Sequence, residues 1–173
     1  MLNFKEKLNN VKAFVFDVDG VLGSNKVLLD NEGNLLRTMN IKDGYAIQFA
    51  VKRGYKFAII SGGNNESVRT RFEHLGIKDI YLGSHHKMVD FNDFIKKNDL
   101  DPESILYMGD DIPDYEVMLK AGVPSCPADA AQEIKAISKY ISHFDGGKGC
   151  VRDVIEQVLK IQGKWMNDDA YHW

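Results

Sequence analysis

The sequence predicts an α/β protein built on a doubly wound parallel sheet from which one β-hairpin projects. Three observations predict it. Short apolar runs rich in β-branched and aromatic residues alternate with segments whose apolar residues fall at helical steps. Several of those runs stop abruptly on acids, serine or glycine, as strands do where a parallel sheet opens onto a ligand crevice. One stretch, about 21–39, breaks the alternation, with turn formers between two apolar segments.

The first strand, 11–16, ends on Asp17-Val18-Asp19-Gly20. Two carboxylates this close repel unless a cation or protons intervene, although an Asp-Gly turn accounts for many such matches taken alone. The segments 27–29 and 35–39 flank Asp30-Asn31-Glu32-Gly33-Asn34, a hairpin with a loop longer than two residues. Asp43 is the expected cap of a helix that buries Ala46, Ile47, Ala50 and Val51 and stops at Gly54. A strand over 57–60 runs into Ser61-Gly62-Gly63, and a helix from Asn65 presents Val68, Phe72 and Leu75 before Gly76. A short strand over 80–82 leads to Gly83-Ser84-His85-His86-Lys87, followed by a helix with Val89, Phe94 and Ile95. The strand at 105–108 ends on Gly109-Asp110-Asp111, and Pro113 suits the first turn of the next helix. A last central strand over 123–126, a short helix over 129–137, and a loop with Gly146, Gly147 and Gly149 precede a final amphipathic helix carrying Val151, Val154, Ile155, Val158 and Leu159. That glycine loop is either an anion-binding helix start or a hinge. The tail, 163–173, has no periodicity; one expectation places it over a neighbour's cleft.

Composition narrows the function. The 173 residues suit one domain, 1–173, with a real core, and 44% hydrophobic with 27% charged residues is ordinary for a globular chain. A net charge of −3 gives no support to nucleic acid or an anionic membrane as partner. No run approaches the roughly 18 apolar residues of a membrane span. The first ten residues lack a signal-peptide core, so a cytoplasmic protein is expected. Cys126 and Cys150 are expected as reduced, buried thiols.

If the strands lie parallel, their ends share one side of the sheet. Asp17 with Asp19, Ser61 with Gly62, Asp110 with Asp111, and Lys87 then converge in one cleft. Mg²⁺ typically takes one or two protein carboxylates and leaves its other positions to water and phosphate oxygens. A lysine and a serine can hold the phosphoryl oxygens that remain. These are the parts that phosphoryl transfer requires.

Asp17-Val18-Asp19-Gly20, Ser61, Lys87, and Gly109-Asp110-Asp111 with Asp114 resemble the four ordered motifs of the haloacid dehalogenase superfamily. The resemblance implies that Asp17 is a nucleophile that forms an aspartyl-phosphate and that Asp19 is the general acid and base. It implies that Mg²⁺ is held by Asp17, the main-chain carbonyl of Asp19, and Asp110, with Asp111 or Asp114 behind them, and that Ser61, Gly62 and Lys87 bind the phosphoryl group. Spacing alone leaves Lys78 and Lys96 as alternatives to Lys87. Only the hairpin and single helices lie between the motifs, so no cap domain fits.

A narrower resemblance is carried by the length, the hairpin, Asn40-Ile41-Lys42-Asp43-Gly44-Tyr45, and Gly146-Gly147-Lys148-Gly149 with Arg152. It is to the 3-deoxy-D-manno-octulosonate 8-phosphate phosphatases, which act on a small phosphorylated keto-sugar acid on the route to lipopolysaccharide. It implies a homotetramer whose hairpins assemble into a barrel while a neighbour covers each cleft. Lys42 and Arg152 are candidates for the sugar carboxylate. Two departures stand out: Gly63-Asn64-Asn65 where the family commonly has an arginine, and Gly23-Ser24-Asn25 where Thr-Asp-Gly is frequent. The first leaves open a nine-carbon sialic-acid-type 9-phosphate. Outside this class stand a phosphorylatable receiver domain, whose motif order differs, and a silent assembly subunit. His85 and His86, without a third partner at ligand spacing, read as loop residues.

Overall fold

The computed structural model describes residues 4–166 and 170–171. Six parallel strands form one sheet: β1 (Ala13–Phe16), β4 (Lys56–Ser61), β5 (Asp79–Leu82), β6 (Ile105–Met108), β7 (Val123–Cys126) and β8 (Tyr140–Ile141). Their spatial order is β5-β4-β1-β6-β7-β8. The chain therefore winds outward from β1 to one edge, returns, and winds outward to the other. That reversal opens a crevice beyond the carboxyl ends of β1 and β6, the usual ligand position in a doubly wound sheet.

Side chains alternate along each strand, so each face has its own core. Phe14, Phe16, Phe57 and Ile59 face α1 (Phe4–Asn9), α2 (Ile41–Lys52), α3 (Glu66–His74) and α7 (Cys150–Ile161). Ala13, Val15, Ala58 and Ile60 face α4 (Lys87–Asn98), α5 (Tyr115–Lys120) and α6 (Gln132–Ile137). Cys126 and Cys150 are free thiols buried in these layers.

The helix over 43–53 begins earlier than expected. Asn40 caps it, its Oδ1 accepting from the N–H groups of Lys42 and Asp43 at 2.8 and 3.4 Å. Asp43 instead turns inward and accepts the Arg152 N–H at 2.7 Å, so it caps the start of α7 and ties two helices together. The anion reading of the glycine loop loses ground here, because the protein's own carboxylate already occupies that helix start.

The hairpin, β2 (Leu28–Leu29) with β3 (Leu35–Leu36), is shorter than the 21–39 insert. Residues 18–22 instead form a wide, kinked turn closed by the Gly23 N–H on the Val18 carbonyl at 2.8 Å, and a single bridge from Gly23 to Met39 closes the hairpin base. Part of the tail folds back on its own chain: Trp165 packs edge-on against Phe49, and Tyr45 donates to the Ala170 carbonyl. Trp173 and the rest of 167–169 and 172–173 lie outside the described residues.

Candidate active site

Asp17 follows β1 and Asp110 follows β6, and the two strands are paired, so the chain delivers both acids to the crevice at the winding reversal. Gly20 makes their approach possible. It sits at φ +87°, and a Cβ there would fall 2.0 Å from Asp110 Oδ2, so any side chain would displace the acid. Asp17 Oδ1 accepts the Val18 N–H at 2.7 Å, which aims Oδ2 at Lys87, whose Nζ lies 3.0 Å away.

Lys87 opens α4 with a buried ammonium that also donates to Asp114 Oδ1 at 2.7 Å. Tyr107 donates its hydroxyl to the same oxygen at 2.6 Å, and the Asp110 N–H reaches Asp114 Oδ2 at 3.2 Å. Both oxygens of Asp114 are thus occupied by protein donors. Asp110 Oδ1, by contrast, is buried and accepts no hydrogen bond among the described residues. A buried carboxylate oxygen without a donor is costly unless a cation meets it.

Oxygens of Asp17, Asp110 and Asp114 lie within 4.8 Å of one another. Ionised, they carry three negative charges against one ammonium. The imbalance raises two of them: Asp17 is pushed up to about 7 by burial and then by Asp114, against the pull of Lys87. Asp110 is pushed up to about 8 by burial and by Asp17 and Asp114. Burial works against the charge on Lys87, but Asp17 and Asp114 more than offset it and its ammonium is held above the ordinary range. A divalent cation between Asp17 and Asp110 would balance the pocket, and the all-oxygen donor set suits Mg²⁺.

The cleft encloses about 500 Å³ and is lined by Asp17, Asp19, Ser61, Gly62, Lys87 and Asp110, with Asn25, Ser84 and His85 also on its wall. Ser61 is buried, and its Oγ accepts the Gly63 N–H at 3.2 Å, leaving its proton free to meet an anion. A larger hollow of about 730 Å³ lies at the opposite ends of the strands, around Lys12 and Lys56, where the winding creates no crevice.

Lys87 is the lysine the fold selects; Lys78 and Lys96 are exposed. Of the two acids expected behind the metal ligands, Asp114 is buried among them while Asp111 is exposed on the cleft wall. Lys42 and Arg152 are not brought to this cleft within one chain. They line a separate hollow with Asn40 and Lys148, and Arg152 is paired to Glu156 at 2.5 Å. Both were candidates through the motifs that carry the narrower resemblance, and a motif does not say which concavity its residues will line. His85, read as a loop residue, stands on the cleft wall. Reasoning from sequence missed Tyr107, which reads as one more apolar strand residue, and Arg37. The Arg37 guanidinium grips Asp19 through Nε–Oδ1 at 2.6 Å and Nη2–Oδ2 at 2.9 Å.

Residues 45–128 match the family model of the haloacid dehalogenase-like hydrolases. The chain is 37% identical to 3-deoxy-D-manno-octulosonate 8-phosphate phosphatase KdsC of Salmonella typhi over 91% of this chain and 84% of the relative. KdsC of Escherichia coli K12 is 36% identical over the same shares. Among solved structures, the 3-deoxy-D-manno-octulosonate 8-phosphate phosphatase of Moraxella catarrhalis, in complex with magnesium ion, phosphate ion and KDO, superposes with a TM-score of 0.90. It is 31% identical and covers 96% of this chain and 94% of its own. The Yersinia pestis enzyme gives the same score and identity over 92% and 86%.

Proposed function

The chain belongs to the haloacid dehalogenase-like hydrolases, in the family of the 3-deoxy-D-manno-octulosonate 8-phosphate phosphatases, and from that premise we propose its reaction and the residues that carry it. The protein hydrolyses 3-deoxy-D-manno-octulosonate 8-phosphate, releasing phosphate in lipopolysaccharide precursor synthesis. The observation that supports it most is the trio of buried Asp17 and Asp114 with half-buried Asp110, which shares one cleft with Ser61 and Lys87.

Asp17 Oδ2 attacks phosphorus; its bond forms as the bond from phosphorus to the sugar's C8 oxygen breaks. Asp19 gives that oxygen its proton, and the free sugar acid leaves. Asp19 then takes a proton from a water that attacks the phosphoryl group, and the return of electrons to Asp17 releases inorganic phosphate. Ser61 and Lys87 hold the phosphoryl oxygens throughout, and Asp114 with Tyr107 holds Lys87. Mg²⁺, held by Asp17, the main-chain carbonyl of Asp19, and Asp110, supplies positive charge to the phosphoryl group when bound. A panel of sugar and keto-acid phosphates tests the substrate. kcat/KM for the eight-carbon 8-phosphate is expected to exceed that for a nine-carbon 9-phosphate by about tenfold or more, a discrimination a shaped pocket can supply. A preference for the longer acid would reject it.

The enzyme works as a cytoplasmic homotetramer. The hairpin supports the assembly: Leu28 and Leu29 are 68% and 66% exposed, Leu35 and Leu36 40% and 48%, and a lone two-stranded hairpin is marginal in water. Among the described residues no helix is long and apolar enough to cross a membrane. Replacing the cross-strand pair, Leu28→Asp with Leu36→Asp, is expected to shift sedimentation from tetramer to monomer while the circular dichroism stays that of a folded α/β protein. An unchanged tetramer would place the interface elsewhere.

A further inference from the structure

The hairpin exposes its leucines yet shields one charged side chain. Arg37 follows β3, and its side chain is only 9% exposed, whereas Asp19 across from it is 36% exposed. The guanidinium is fixed on two sides. Nε and Nη2 form the two-bond fork to Asp19, and Nη1 donates to the Leu35 carbonyl of its own hairpin at 3.0 Å. Such a fork fixes direction as well as distance, unlike an ordinary surface pair. The fork also depends on room. A Cβ on Gly63 would lie 3.2 Å from Arg37 Nη2 and 3.6 Å from Asp19 Oδ2, so the bare glycine leaves both groups unobstructed.

We propose that Arg37 is the positioning residue for Asp19: the hairpin folds back on its own chain beside the cleft and holds the carboxyl at the angle from which it passes its proton to the leaving oxygen. The proposal rests on the phosphatase reading and adds a part to it. Asp19 leaves β1 on the turn that Gly20 makes at φ +87°, and among the described residues the donors to its carboxyl all belong to Arg37. A carboxyl that transfers a proton must stand within hydrogen-bond reach of its target, and small misplacements are expensive in rate. Arg37 supplies the constraint through one guanidinium N–H on each oxygen, and Asp19 lines the cleft.

Single-turnover release of the leaving group separates this role from others. Arg37→Ala is expected to slow release from the sugar-acid phosphate about a hundredfold. Release from p-nitrophenyl phosphate, whose phenolate departs without a proton, should slow by less than about threefold. Arg37→Lys, which keeps the charge but not the planar fork, should recover part of the loss. Because Arg37 acts through Asp19, adding Arg37→Ala to Asp19→Ala should cost nothing further. Equal slowing on both substrates, additive losses in the double variant, a rise in KM alone, or a faster enzyme would each overturn the proposal. If instead wild-type protein releases no phosphate from either compound, the phosphatase reading fails first, and the two failures are distinct.

Discussion

Asp17→Asn is expected to lower the steady-state release of phosphate by a factor on the order of a thousand or more, while the protein remains folded and assembled. An amide oxygen can still accept the Val18 N–H that Oδ1 now accepts at 2.7 Å, so the turn after β1 keeps its cap. What disappears is the nucleophile: an amide has no anionic oxygen to form the bond to phosphorus. The substitution also removes one negative charge from a pocket in which three carboxylates face one ammonium. The loss of the Lys87 ion pair is therefore partly offset, and thermal stability should fall little or even rise. The check is phosphate release alongside thermal unfolding and sedimentation. Substantial turnover in a folded variant would remove Asp17 from the role of nucleophile. Loss of activity together with loss of fold would leave the distinction to Asp17→Glu. That variant keeps the charge but moves the oxygen by one methylene, and it should be nearly as inactive.

How much of this was legible beforehand depended on the range of the interaction. The five central strands and the shared side of their ends were readable, because an apolar run followed by Asp, Ser or Gly is a local pattern and right-handed winding does the rest. Asp17, Asp19, Ser61 and Asp110 fell out of the same logic. β8 escaped because two residues, Tyr140 and Ile141, are too few to carry a period, and α1 escaped because six residues with charges between them show no clear face. Asp43 was legible as a cap but not as the cap of α7, whose first turn lies more than a hundred residues away. Arg37 illustrates the same limit. Its partner Asp19 is brought to it only when the hairpin folds back over the crevice, and neither residue's neighbours in sequence announce that. Lys42 and Arg152 show a different limit: the motifs that contain them are local, but α2 and α7 begin beside a different hollow of the chain.

Chelation of Mg²⁺ is expected to abolish turnover, and its effect on stability should depend on pH in the direction opposite to that of most carboxylates. Burial and mutual repulsion raise Asp17 to about 7 and Asp110 to about 8, far above their values in an unfolded chain. Between about pH 4 and those values the folded, metal-free protein holds protons that the unfolded chain has released. Stability contributed by these groups is thus greatest below about pH 4 and declines as pH rises toward 8. Mg²⁺ needs the ionised carboxylates, so its binding releases those protons and tightens over the same interval. Metal-free protein should therefore lose thermal stability from pH 5 to pH 8, and added Mg²⁺ should restore more of it at pH 8 than at pH 5. At a hundredfold excess over Kd the gain is about 2.7 kcal/mol, or about 5–10 °C in Tm for a domain of this size. Thermal melts in chelator and in Mg²⁺ across that pH range make the comparison, and an Mg²⁺ increment that does not grow with pH would mean that the ion is not meeting Asp17 and Asp110. Asp110→Asn supplies the control. It removes the negative charge from the acid whose buried Oδ1 accepts no hydrogen bond among the described residues, so the variant should melt with little dependence on Mg²⁺ at either pH.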